Sequence, residues 1–293
     1  MDKKLLLQIV ASTTLFFSGV TYAQTASFTD SYRNGSSCGT NYSIKGVEPS
    51  ATGTYPVFIY TVGTSESYDN AAAMAAVQSM AAKGYVAATI AYPNSTFGGC
   101  SSFNSKASCA FDPAKAASAV SKICARGKAD CSKGIIVAGF SQGAILALLA
   151  RKYDSRVEAA YGMGLGTNYS GTDVSSCTKY GNYTLSADRL RVINGEADGF
   201  LGGNANAVRT QTEDVTGLKG ATDAYSAYRS NSSGWQMVKH TEMADGSADH
   251  CYMRTGGSGC SASQNTLDEG WKSGTGEWAL EQNLKWLTKF TRP

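Results

Sequence analysis

Six short apolar runs, at residues 56–62, 85–92, 134–139, 157–165, 190–194 and 235–239, stand between longer stretches in which apolar residues recur at helical spacing. Runs of this length, rich in β-branched residues and bounded by Gly, Pro or Asn, predict strands buried on both faces. The Ala/Met-rich stretch that follows Asp69 predicts a helix capped by Asp69, running to about Ala82 and stopped at Gly84. Asp112 and Pro113 match an N-cap and a first helical position, which predicts a helix carried on to Arg126. Residues 144–150 are Ala, Ile and Leu throughout and predict a buried helix. Leu280, Leu284 and Leu287, widened by Trp286 and Phe290, mark an amphipathic closing helix over 277–290. Strands alternating with helices predict an α/β fold, a mostly parallel central sheet with right-handed crossovers and helices on both faces.

The other segments lack such periodicity. Residues 24–54 are rich in Ser, Gly and Asn, with Tyr32, Tyr42 and Ile44 the few candidates for burial, and read as an irregular arm with one edge hairpin at most. Residues 93–110 read as a loop. Two polar insertions, 166–188 and 199–234, interrupt the alternation, and the first carries Tyr169, Tyr180 and Tyr183. With no linker or repeat in sight, residues 24–293 read as one domain with a single large core.

Residues 1–23 have the pattern of a signal peptide: Lys3 and Lys4, an apolar run from Leu5 to Val20, then Thr21, Tyr22 and Ala23 as a small-residue cleavage site. Gln8 and Ser12–Thr14 break that run, which is already shorter than the roughly 20 residues of a membrane span, so no stable membrane insertion is expected. The net charge of +3 becomes +2 once Asp2, Lys3 and Lys4 are removed, and without a basic block it argues against nucleic acid as a partner. Eight cysteines behind a leader predict four disulfides in an oxidising compartment, secreted or periplasmic. Local spacing favours Cys100–Cys109, Cys124–Cys131 and Cys251–Cys260, leaving Cys38 for Cys177.

Between the third apolar run and the buried helix stands Gly139-Phe140-Ser141-Gln142-Gly143. With 34 serines and 32 glycines in 293 residues, about 0.4 such pentapeptides arise by chance, so the strand before Ser141 and the helix after it carry the signal. A serine at a strained strand–helix turn, flanked by glycines that permit close approach, is a nucleophile elbow. A serine hydroxyl needs an imidazole as base and a carboxylate to orient that imidazole. The chain has two histidines: His250, in a loop past the last strand, is the candidate, and His240, at the end of that strand, the alternative. Asp198 is the candidate acid, in Gly195-Glu196-Ala197-Asp198 after a buried strand, with Glu196 its neighbour and alternative. All three fall just past C-terminal strand ends, where open α/β sheets place their sites.

These residues resemble the α/β-hydrolase fold family: strand, Gly-Phe-Ser-Gln-Gly elbow, helix, then acid and histidine in that order, across roughly residues 55–290. The resemblance implies an oxyanion hole made by the backbone N–H groups of Gln142 and Thr64, the latter in the loop after the first core strand. Gln after the serine, and a hydroxyl residue and Glu in the oxyanion loop, are similar to cutinases; the 52 residues between Asp198 and His250 depart from the cutinase pattern.

The expectation is an exported serine hydrolase that cleaves carboxylic esters through an acyl-Ser141 intermediate, with a small-molecule or polymeric ester as its partner and neither metal nor organic cofactor. A secreted serine peptidase and a non-catalytic binding protein on the same scaffold are the alternatives. A Cys251–Cys260 bridge is expected to hold the backbone of the His250 loop.

Overall fold

The computed structural model describes residues 24–256, 260 and 266–292, so the leader lies outside the described residues. The chain enters through a hairpin of two ten-residue strands, β1 (Thr25–Asn34) and β2 (Thr40–Pro49). There follow β3 (Val57–Thr61), α1 (Ala71–Ala82), β4 (Val86–Ile90), α2 (Cys100–Phe111), α3 (Ala119–Cys124), β5 (Ile135–Phe140), α4 (Gln142–Tyr153) and β6 (Val157–Met163). A two-stranded flap, β7 (Asn168–Tyr169) and β8 (Thr172–Asp173), precedes α5 (Ser175–Thr178). The chain continues through β9 (Leu190–Gly195), α6 (Ala205–Thr216), β10 (Ser226–Tyr228), β11 (Gly234–Val238), α7 (Glu269–Ser273) and α8 (Leu280–Leu287).

Nine strands form one sheet in the order β1-β2-β4-β3-β5-β6-β9-β11-β10. The six from β4 to β11 run parallel, and they are the six apolar runs of the sequence. The hairpin and β10 add antiparallel edges. Every residue of β3, β4, β5 and β9 is buried, as expected of strands covered on both faces. On one side α8 ties to α1 through Glu281, which accepts from Ser79 and pairs with Lys83. On the other, Asn104 of α2 accepts from Lys152 and Tyr153 of α4.

Four expectations are corrected. The N-terminal arm is a long, regular hairpin, docked by the Tyr32 hydroxyl, which donates to Ala91 O at 2.7 Å. Asn70, not Asp69, caps α1 by accepting from Ala73 N, while Asp69 pairs with Lys45 at 2.9 Å. The 93–110 loop contains α2, and Asp112 ends that helix instead of beginning the next one, which starts only at Ala119 with Ser118 as cap. The disulfides are Cys38–Cys109, Cys100–Cys177, Cys124–Cys131 and Cys251–Cys260, so two of the four expected pairs are exchanged. The helix explains the exchange: Cys100 and Cys109 stand at its opposite ends, and nine residues at 1.5 Å rise separate them by about 13 Å, beyond a disulfide's reach. Four disulfides fit an oxidising environment, and among the described residues no helix is long and apolar enough to cross a membrane.

Candidate active site

Ser141 stands between β5 and α4 with φ 52° and ψ −120°, a conformation that side chains rarely adopt. The flanking glycines are required by close approach. A Cβ on Gly143 would lie 2.2 Å from Thr61 O, and one on Gly139 would lie 2.4 Å from Gly143 O. The helix can therefore start directly against β3 and β5, lifting Ser141 past the sheet's C-terminal edge. The same pentapeptide pattern recurs as Gly35-Ser36-Ser37-Cys38-Gly39, in the turn joining antiparallel β1 and β2, where Ser37 lies within a single 3-10 turn and a strand, not a buried α-helix, follows. Context, not the pattern, separates the two.

Asp198 and His250 come together although 52 residues separate them. Asp198 Oδ2 lies 2.6 Å from His250 Nδ1, and both side chains are buried. Asp198 Oδ1 accepts from Phe200 N and Leu201 N, so both carboxylate oxygens are held. A carboxylate only accepts, so Nδ1 carries the proton and Nε2 is left as the ring's base. The histidine loop lies against the sheet at Gly164, where a Cβ would meet His250 Cε1 at 2.7 Å. The Cys251–Cys260 bridge closes the loop beside His250.

The two alternatives serve other purposes. Glu196 accepts from the Tyr225 hydroxyl at 2.6 Å and from His240 N at 2.5 Å. Burial works to raise its pKa, and these hydrogen bonds outweigh burial and hold the carboxyl below its usual value. His240 is exposed, and its Nδ1 accepts from Ala248 N at 3.0 Å, which organises the base of the loop.

Thr64 and Gln142 face one another across the elbow: Gln142 Nε2 donates to Thr64 Oγ1 at 2.9 Å and to Thr96 O at 3.1 Å. Behind them the buried Lys106 donates to Gln142 Oε1 at 2.7 Å, and burial lowers its pKa. Among the described residues no protein acceptor meets the backbone N–H of Thr64 or of Gln142. The loop holding Thr64 is braced all along its length. Gly63 N donates to Glu66 Oε2 at 2.6 Å, Asn94 Nδ2 donates to Gly63 O and Glu66 O, and the Tyr92 hydroxyl donates to Val62 O. Glu66 also pairs with Arg254, which stands four residues after His250, so one carboxylate links the Thr64 loop to the histidine loop.

Ser141, His250 and Thr64 line one cavity of about 700 Å³. Its apolar wall is aromatic, made of Phe97, Phe140, Tyr169 and Phe200. The sequence reading missed Glu66, Lys106 and Arg254 as supports and the phenylalanines as wall. The available signal was charge placement, with Glu66 two residues past Thr64 and Arg254 four past His250. Of the tyrosines in the first insertion, Tyr169 lines the cavity, Tyr183 donates to Val215 O and Tyr180 is exposed.

No protein-family model matches the sequence, and no curated protein matches it. Solved structures with a similar fold include brefeldin A esterase, a bacterial homologue of human hormone sensitive lipase, at 18% identity and TM-score 0.38 over 50% of this chain and 42% of that one. Another is an α/β serine hydrolase without lid from Xanthomonas campestris, at 13% identity and TM-score 0.45 over 72% of this chain and 82% of that one. The chain thus spans less than half the length of the brefeldin A esterase. The strand order and the strand–serine–helix turn are those of the α/β-hydrolase fold.

Proposed function

We propose that the protein is an exported serine hydrolase that cleaves carboxylic esters through an acyl-Ser141 intermediate. The observation that carries this reading is His250, held 2.6 Å from the buried Asp198 and lining one cavity with a serine in a strained strand–helix turn. Ser141 Oγ attacks the ester carbonyl as His250 Nε2 takes its proton, and Asp198 stabilises the imidazolium that forms. The tetrahedral oxyanion is received by the N–H groups of Thr64 and Gln142. As the intermediate collapses, the alcohol leaves with the proton from His250. Water, activated by the same nitrogen, then attacks the acyl-enzyme, and collapse of the second intermediate releases the acid and restores Ser141. Export is supported by the leader pattern and by the four disulfides.

The test is a fluorophosphonate probe together with p-nitrophenyl acetate, applied to the mature protein and to Ser141→Ala, with folding of both followed by circular dichroism. Labelling and turnover that are both lost in the variant are expected. A folded wild-type protein that takes no label and turns over no ester would sink the proposal in favour of a binding role, and labelling without ester turnover would favour a peptidase.

A further inference from the structure

The cavity beside Ser141 is lined by two unlike kinds of group, aromatic rings and polar side chains. Four aromatic rings form the apolar part, and three of them surround the imidazole. Phe200 lies 4.7 Å, Phe140 4.9 Å and Tyr169 6.4 Å from the His250 ring, and Phe97 packs 4.7 Å from Tyr169. These rings arise on separate segments that are fastened to one another. Cys100, just past Phe97, bridges to Cys177, just past the β7–β8 flap. Ser170 N on that flap donates to Phe200 O at 2.9 Å. Tyr169 is anchored from its hydroxyl, which donates to Gly164 O and accepts from Gly166 N. The wall is therefore assembled before any ligand arrives, which reduces the ordering that binding would require. Phe200 is 46% exposed, and it is one of two large hydrophobic side chains exposed among the described residues. Its place at the cavity, over the imidazole, gives that exposure a purpose.

The rest of the lining includes the hydroxyls of Ser65, Ser67 and Thr172, and its charged groups, Glu66 and Arg254, neutralise one another. Neither is free to hold a charged ligand. Taking Ser141 as the ester-cleaving nucleophile, we infer that the cavity selects neutral esters carrying an aromatic ring next to the scissile group, the ring lying against Phe97, Phe140, Tyr169 and Phe200. An aromatic ring gains edge-to-face and stacked contacts with such a wall that a saturated ring of equal size does not.

The experiment uses matched pairs with chemically similar leaving groups. Methyl phenylacetate against methyl cyclohexylacetate places the ring on the acid side, and benzyl acetate against cyclohexylmethyl acetate places it on the alcohol side. A preference of about tenfold in kcat/KM for the aromatic member of at least one pair is expected, and the pair that shows it identifies the side. Methyl (4-carboxyphenyl)acetate, which adds a carboxylate, is expected to be slower than methyl phenylacetate. Phe200→Leu, a change at an exposed position, should bring the favoured ratio down to about twofold.

Ratios near one in both pairs, with Ser141 labelled by fluorophosphonate, would overturn this inference and leave the ester-hydrolase reading standing. So would faster turnover of the carboxylate. A Phe200→Leu loss equal for both members of the favoured pair would assign that ring to the imidazole and overturn its role toward substrate. If no ester is turned over and Ser141 stays unlabelled, the hydrolase reading falls and this inference with it.

Discussion

At the scale of single residues, Glu66 connects more of the site than its place in the sequence suggests. One of its oxygens accepts from Gly63 N, one residue before Thr64, and the other pairs with Arg254 on the histidine loop. Both side chains of the pair are about nine-tenths buried. Removing one charge of such a pair strands the other, at a cost of about 3–5 kcal/mol, whereas replacing both by apolar residues is often neutral. Glu66→Gln is therefore expected to lower the unfolding midpoint and kcat together. Glu66→Met/Arg254→Met should regain most of the stability but leave Gly63 N unpaired, so kcat should stay about 10–100-fold down, the size of effect expected of a displaced catalytic group. Urea unfolding and ester kinetics on the single and double variants would separate the two roles. Recovery of kcat along with stability would reduce the pair to a structural tie. The residues proposed to do the chemistry were more legible than those that support them. A triad needs particular residue types after particular strands, and the chain has only two histidines to choose from. A support such as Lys106 requires only a side chain long enough to reach Gln142 Oε1, and many positions satisfy that.

At the scale of elements, the six parallel strands could be read directly because each is apolar on both faces, while α2 and α6 could not. In α2 the buried positions include Phe103, Ala107, Ala110 and Phe111, but Ser, Cys, Asn and Lys around them carry the composition of a loop. In α6 the buried positions are Val208, Thr212, Glu213, Val215 and Thr216, so most of the inward face is polar and periodicity fails. Thr212 Oγ1 satisfies itself by donating to Val208 O and accepts from Asn194 Nδ2. Missing α2 also misassigned the disulfides, which gives the corrected pairing a consequence of its own. Cys100–Cys177 closes 77 residues and Cys124–Cys131 only 7. Chain-entropy arguments assign them about 4.5 and 2.4 kcal/mol at 25 °C. Cys100→Ser/Cys177→Ser should thus destabilise the protein by about 2 kcal/mol more than Cys124→Ser/Cys131→Ser in urea unfolding. Only the former should blunt selectivity among esters, because it alone fastens the aromatic wall. Equal destabilisation and equal selectivity would argue that the long bridge constrains little.

For the molecule as a whole, the core determines how the protein should fail in alkali. Tyr32, Tyr60, Tyr92, Tyr161, Tyr169 and Tyr252 are buried, and burial raises each phenol's pKa above its ordinary value near 10. Their stabilising effect is complete below about pH 10, where the phenols are neutral in folded and unfolded chains alike. As pH rises beyond 10 the unfolded chain loses these protons and the folded one keeps them, so stability falls toward the raised folded values. Each phenol contributes about 1.4 kcal/mol per pH unit, and six together about 8 kcal/mol. Lys106 acts in the opposite sense, since burial lowers its pKa and the folded chain releases that proton first. A single amine does not offset six phenols. A domain typically holds about 5–15 kcal/mol of net stability, which such a slope exhausts within roughly one to two pH units. Cooperative unfolding is therefore expected between about pH 11 and 12, with phenolate absorbance at 295 nm rising in the same step that ellipticity at 222 nm is lost. Phenolate absorbance that climbs gradually from pH 9.5 while ellipticity is retained would mean that these tyrosines ionise within the folded protein, and that the core opens to water far more readily than its packing implies.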